Sequence, residues 1–226
     1  RIKRNHRMVY KIKVKGYEFL SKVLEYDIEN DYRETEDKNK DYYYASDYKQ
    51  VIQLFNPHKK QYKKLLRKIS KELGFDFYYQ TIPNFRHHKS SDDFHPVWHT
   101  DLQFNHLKGT LNIVIPITNK DFGFEIMNSF LSRIFGKLPL KFNNLKLIQK
   151  FYSLLSKKIN YLEDILVFDN YHLHTATNRN EYGTARKSVD LRILPIDYDD
   201  TQNKKSLGGV EMKPGGYFSR RPISHE

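Results

Sequence analysis

The chain has no cysteine in 226 residues. That absence excludes disulfides, thiolate metal knuckles and cysteine nucleophiles, and it leaves the redox compartment unreadable. No stretch approaches the ~18 consecutive apolar residues of a membrane-spanning helix, and no signal-peptide pattern opens the sequence. No internal repeat is present. The expectation is one globular domain in the cytoplasm, with no membrane partner and an undetermined oligomeric state. Residue 1 is Arg rather than Met, so the start is read as trimmed. Acidic residues are outnumbered, 27 against 39 Lys and Arg, for a net charge of +12. The basic residues are scattered, from Arg1 to Lys15, Lys59 to Lys71 and Lys137 to Lys158. Scattered charge is not the clustered basic face that nucleic acid requires, and aromatic–basic interleaving for base stacking is missing. Richness in Lys, Asn, Ile and Tyr is also what an AT-rich coding genome produces. A small-molecule substrate is the expected partner, and nucleic acid is not.

What is present begins with periodicity. Tyr62, Leu65, Leu66, Ile69 and Leu73 follow i, i+3, i+4, i+7, i+11, so Lys59 to Leu73 is the strongest helix, stopped by Gly74. A shorter amphipathic helix is expected over Tyr17 to Tyr26, and a first strand around Ile12 and Val14. Asn30 to Tyr48 is polar and reads as a loop. The period then becomes strand-like over Phe75 to Thr81, Val97 to Phe104, Thr110 to Ile117 and Phe122 to Met127. Lys141 to Lys158 returns to helical spacing, and Asp164 to Phe168 and Lys187 to Pro195 are strands again. Helices followed by seven or eight short strands suggest an α+β fold in which a β-sandwich is buttressed by helices. A cupin-like jelly roll, or double-stranded β-helix, is such an arrangement. Residues 1–74 would supply the N-terminal helical support. Residues 75–127 and 161–195 would form the jelly-roll core. Residues 128–160 would be a partly helical insertion or lid, and 196–226 a C-terminal tail.

The most informative local pattern is His99-Thr100-Asp101. On a strand, residues two apart share a face, with Cα atoms roughly 6.6 Å apart. An imidazole and a carboxylate at that spacing can grip one metal ion. Taken alone, the tripeptide equally describes a surface strand with two polar residues facing water. The stretch Tyr171-His172-Leu173-His174 offers a third ligand, either His172 or His174. Two His and one carboxylate leave the opposite coordination positions open, which suits non-haem Fe(II) that must also bind a co-substrate and O₂. Further on, Arg186, Ser188, Asp190 and Arg192 alternate onto one strand face. A guanidinium fork there matches a carboxylate bidentately. Asn112 interrupts the apolar run Leu111 to Ile117 and either faces a cavity or is buried and hydrogen-bonded. Arg86, Gln80 and Gln103 are weaker candidates for contacts to small molecules.

The ordered set of H-x-D, a His 73 residues beyond Asp101, and Arg-Lys-Ser a dozen residues later resembles the Fe(II)/2-oxoglutarate-dependent dioxygenases. It looks nearest to the small-molecule-tailoring branch that includes oxygenases of streptomycin-type biosynthesis. The flanking runs Leu111 to Thr118, Thr175 to Asn178 and Arg186 to Arg192 extend the likeness to roughly residues 76–195. The resemblance implies Fe(II) held by His99, Asp101 and His174, selecting His174 over His172. It implies 2-oxoglutarate as co-substrate with O₂, anchored by Arg186, Ser188 and Asn112. Arg192, Arg86, Gln80 and Gln103 would then meet the primary substrate, with the roles of Arg186 and Arg192 interchangeable. Oxidation of a sugar, aminocyclitol or amino-acid derivative, most simply hydroxylation, would release succinate and CO₂. Because Asp101 is retained, halogenation is not expected.

Overall fold

A computed structural model describes residues 9–25, 52–88, 98–117, 123–143, 145–159, 163–176, 186–199, 201–206 and 209–225, without the side chains of 25, 87, 88 and 186. The Asn30 to Tyr48 loop therefore lies outside the described residues.

Hydrophobic alternation sorts the strands into two antiparallel sheets. The larger holds β1 (Tyr10–Ile12), β2 (Phe77–Tyr79), β3 (Asn84–His88), β4 (Leu111–Pro116), β7 (Ile165–Asp169) and β9 (Arg186–Pro195). Its order is β1-β7-β4-β9-β2, with β3 also paired to β9. The smaller sheet is β6-β5-β8, from β5 (Phe124–Ile126), β6 (Lys157–Ile159) and β8 (His174–Ala176). Together with the helices this is a mixed α/β architecture built on antiparallel sheets.

One face of the larger sheet carries Ile113, Ile115, Ile165, Val167, Val189, Leu191 and Ile193, all buried. They pack against α1 (Phe19–Glu25) and α2 (Lys59–Leu73) through Leu20, Val23, Leu66 and Ile69. Helix α2 has the bounds its periodicity predicts. Gly74 ends it in the left-handed region (φ 71°), where its N–H donates to the Ser70 carbonyl at 2.8 Å. The opposite face carries Val114, Leu166 and Phe168, which pack on Phe124, Ile126 and Ile159 of the smaller sheet. Asn112, Asp190 and Arg192 share the strand parity of that inner face.

Two expectations change. The helix expected over Lys141 to Lys158 divides into α4 (Leu140–Asn143) and α5 (Lys146–Leu155), and its end becomes β6, because Ile159 pairs with Phe124. α3 (Ser129–Phe135) precedes them. The strand expected over Val97 to Phe104 is, among the described residues, a single bridged residue, His99, followed after Thr100 by a 3-10 turn, Asp101–Phe104. The C-terminal tail pairs with the larger sheet. Phe77 and Ile223 exchange backbone hydrogen bonds at 3.2 and 2.8 Å, and the Ser219 N–H donates to the Tyr79 carbonyl at 2.8 Å. Residues 218–223 thereby extend the edge at β2.

Candidate metal centre

The backbone brings two histidines together before any side chain is considered. His99 and His174 face each other as an antiparallel bridge, His99 N–H donating to the His174 carbonyl at 3.1 Å and the reverse at 3.0 Å. Directly opposed residues project to the same face. The two ring centroids are accordingly 4.4 Å apart.

Asp101 reaches the same point through a 3-10 turn. Thr100 is extended (φ −107°, ψ 149°), and its N–H donates to Gln103 Oε1 at 2.8 Å. That contact caps the 3-10 turn whose first residue is Asp101. The 3-10 turn, rather than the alternation of a continuous strand, sets Asp101 beside His99. Asp101 Oδ1 lies 4.0 Å from His99 Nε2, and the ligand atoms of His99, Asp101 and His174 all fall within 4.8 Å of one another. Among the described residues this is the one such group of His, Cys, Asp or Glu side chains.

The electrostatics prepare the group for a cation. Asp101 is 1% exposed. Burial by itself would push its carboxyl up, but the Arg192 guanidinium, donating from Nε to Oδ2 at 2.7 Å, holds it well below the ordinary carboxylate range. Its other oxygen, Oδ1, is buried and has no hydrogen-bond partner among the described residues. An ionised oxygen left that way is costly, and a cation between it and the two imidazoles is the partner its charge calls for. His174 is pushed down to about 3, first by burial and then by neighbouring His99. Its Nδ1 donates to the His172 carbonyl at 2.9 Å, because that oxygen can only accept. The proton is thus fixed on Nδ1, and the Nε2 lone pair is available. Phe124 stacks on the His174 ring at 5.7 Å and Phe168 meets it edge-on at 4.9 Å, fixing its plane.

His172 is committed elsewhere. Its Nδ1 bonds Asp169 Oδ1 at 2.7 Å and its Nε2 bonds Ser129 Oγ at 3.1 Å. Ser132 Oγ accepts from the Leu173 N–H at 3.0 Å. These bonds tie α3 to the turn that delivers His174. Trp98, preceding His99, packs edge-on against Tyr152 of α5 at 5.6 Å. The insertion therefore packs against both of the segments that carry His99 and His174.

A cavity of about 110 Å³ opens beside the three residues, lined also by Asn112, Phe168, Arg86, Asp190 and Arg192. Asn112 is 6% exposed, and its Nδ2 has no hydrogen-bond partner among the described residues, so one donor is free at the cavity wall. Arg86 Nε pairs with Asp190 Oδ2 across β3 and β9. Asp190 and Arg192, which share a strand face, are thus engaged separately, Asp190 in this cross-strand pair and Arg192 with Asp101. Ser188 is fully buried, and its hydroxyl donates to Asp190 Oδ1 at 3.3 Å. Arg186 begins β9 opposite His88, and its side chain lies outside the described residues. Gln80 and Gln103 do not line the cavity. The Gln80 amide bonds the Ile82 carbonyl, Asn84 Oδ1 and the Arg192 N–H. The Gln103 Nε2 donates to the Leu138 carbonyl at 2.7 Å.

Sequence reading missed Tyr217. Its hydroxyl, on the C-terminal tail, accepts from Arg192 Nη1 at 3.1 Å, completing a chain Tyr217–Arg192–Asp101. Nothing local to Tyr217 marks it; only the pairing of the tail with β2 brings it there. Tyr217→Phe should lower stability by about 1.5–3 kcal/mol, the cost of a hydrogen bond to a charged group. Chemical denaturation checks this, and an unchanged midpoint would show that water replaces the hydroxyl.

No protein-family model matches the chain, and no curated protein sequence matches it. Solved structures do. A structure described as a non-heme monooxygenase, ThoJ, in apo form is 15% identical over 74% of this chain and 68% of its own, with a TM-score of 0.48. The corresponding nickel complex is 14% identical over 73% and 66%, with a TM-score of 0.47. SnoK, described as a non-heme alpha ketoglutarate dependent carbocyclase from nogalamycin biosynthesis, is 14% identical over 62% and 61%, with a TM-score of 0.43. The chain spans about two thirds of the length of these structures.

Proposed function

We propose that this chain is a non-haem Fe(II)/2-oxoglutarate-dependent oxygenase on a double-stranded β-helix. Its substrate would be a small polar metabolite such as a sugar, aminocyclitol or amino-acid derivative, hydroxylated with release of succinate and CO₂. The observation that supports the reading best is the buried Asp101 Oδ1, without a hydrogen-bond partner among the described residues, facing His99 and His174 at the wall of a cavity.

The residues fit Fe(II). His99, Asp101 and His174 would hold it, and the bound iron with 2-oxoglutarate supplies O₂ activation. The rest is the protein's own work. Arg192 keeps Asp101 ionised and aimed. The His172 carbonyl sets the His174 tautomer. Phe124 and Phe168 exclude water from one side of the cavity. Arg186 would grip the distal carboxylate of 2-oxoglutarate with its planar fork, and the free Asn112 Nδ2 would donate to the same molecule. Arg86, which also lines the cavity, is the better placed residue for the primary substrate. Arg192 is engaged with Asp101 and Tyr217, which favours Arg186 over Arg192 as the co-substrate anchor.

The test is succinate formation against 2-oxoglutarate concentration at saturating iron. Wild-type protein should convert 2-oxoglutarate only when Fe(II) and O₂ are supplied. Arg186→Lys should raise the 2-oxoglutarate requirement roughly 10- to 150-fold, equivalent to losing about 1.5–3 kcal/mol, while iron affinity holds. Iron binding with no succinate under any condition would reduce the protein to a metal-binding module.

A further inference from the structure

Ten large apolar side chains stand exposed among the described residues, and eight of them fall in the helical insertion between Phe130 and Leu155. Their positions are ordered. In α5, Leu147, Phe151 and Leu154 recur at i, i+4, i+7, with Leu147 77% and Leu154 83% exposed. Ile148 and Tyr152 lie on the adjoining face and pack toward Trp98. The helix thus carries two apolar faces, one seated in the protein and one turned to solvent. α3 repeats the pattern. Phe130 and Ile134 are exposed at i, i+4, while Leu131 and Phe135 pack inward. Phe135 meets Phe151 edge-on at 5.9 Å, joining α3 to α5.

The charge of the same segment is one-sided. From Met127 to Leu162 there are seven Lys or Arg and no Asp or Glu. Lys146 and Lys150 sit at i, i+4, beside the exposed stripe and on the side away from the buried face. Arg133 borders Phe130 and Ile134 in the same way. All seven cationic residues are exposed. Apolar side chains flanked by cations that can extend outward make the composition of a helix lying in a bilayer interface. A second copy of the chain would bring seven further positive charges against these. An apolar patch of this kind marks an interaction site, and the charge selects an anionic partner.

We infer that the exposed face of α3 and α5 docks on the surface of a bilayer containing anionic phospholipid. No described helix is long and apolar enough to cross a membrane, and surface docking asks only for an amphipathic face. Because the insertion packs on Trp98 and bonds Leu173, docking would present the candidate metal centre at a fixed attitude to the bilayer.

The test is sedimentation of the full chain with vesicles of phosphatidylcholine alone or doped with phosphatidylserine. Binding is expected to the doped vesicles only and to weaken with salt. Lys146→Gln with Lys150→Gln should weaken it roughly 30-fold. Leu147→Ser with Leu154→Ser should weaken it at least roughly 100-fold. Ile196→Ser, an exposed apolar residue elsewhere, should leave it unchanged. Absence of vesicle binding, equal binding to neutral vesicles, or binding that survives the leucine pair would each overturn the inference. So would concentration-dependent self-association, or retention on polyglutamate without vesicle binding, abolished by the leucine pair. The first would assign the face to a second copy, the second to an acidic protein.

Discussion

Asp101→Ala is expected to lose both the metal and much of the fold's stability. On the proposed reading, loss of one of the three metal-holding side chains should abolish Fe(II)-dependent turnover, as His99→Ala and His174→Ala should also do. The second effect belongs to Asp101 alone. Its removal leaves the Arg192 guanidinium in a pocket where burial already opposes its charge and Asp101 is the main compensation. Breaking a buried pair from one side costs about 3–5 kcal/mol, a large share of the stability of a typical domain. Removing both charges should recover most of that, because the stranded ion is gone. Denaturation of Asp101→Ala, Arg192→Met and the double variant measures the coupling. The double variant should be more stable than Asp101→Ala yet bind no iron. Wild-type stability in Asp101→Ala would mean that Arg192 reaches water without Asp101.

The metal-free protein should be acid-sensitive well above the carboxylate range. His174 and His106 are both pushed down to about 3, chiefly by burial, with His99 and Arg192 respectively adding to it. In the unfolded chain a histidine titrates near 6.5. Between those values the unfolded state binds the protons and the folded state does not, so stability falls as pH drops from about 6.5 toward 3. At 1.36 kcal/mol per pH unit, each histidine removes about 2 kcal/mol by pH 5, and the pair about 4. Asp101 adds nothing between pH 7 and 5. Its carboxyl is held low, and its contribution is lost only below the pH at which an unfolded Asp protonates. Denaturant midpoints from pH 7 to 5 check the slope. His106→Asn should remove about half of it, and a flat profile would mean that the imidazoles are hydrated.

Much of this was legible in the sequence because it rests on period. The stripe of Tyr62, Leu65, Leu66, Ile69 and Leu73 becomes the buried face of α2. The alternation of β4, β7 and β9 separates helix-facing from cavity-facing residues, placing Asn112 and Arg192 at the cavity. What escaped were contacts between segments distant in sequence. A 3-10 turn capped by Gln103 follows Thr100, and period 2 says nothing of caps. Gln80 and Gln103 resemble site residues in composition, yet their amides close backbone bonds. The Arg192 partners are 91 and 25 residues away, and no local pattern announces either. The exposed stripe of α5 was hidden for the opposite reason. A helix apolar on two sides reads from sequence as one buried broadly.

The seating of Tyr217 on Arg192 also orders events during synthesis. Residues 217–223 leave the ribosome after every other residue of the candidate site. Until they pair with β2, Arg192 lacks its hydroxyl partner and the β2 edge stands open. A nascent chain could fold its helices and both sheets and still present Asp101 on an unsteadied guanidinium. Competence to hold a cation would therefore wait for Tyr217 to emerge and seat on Arg192.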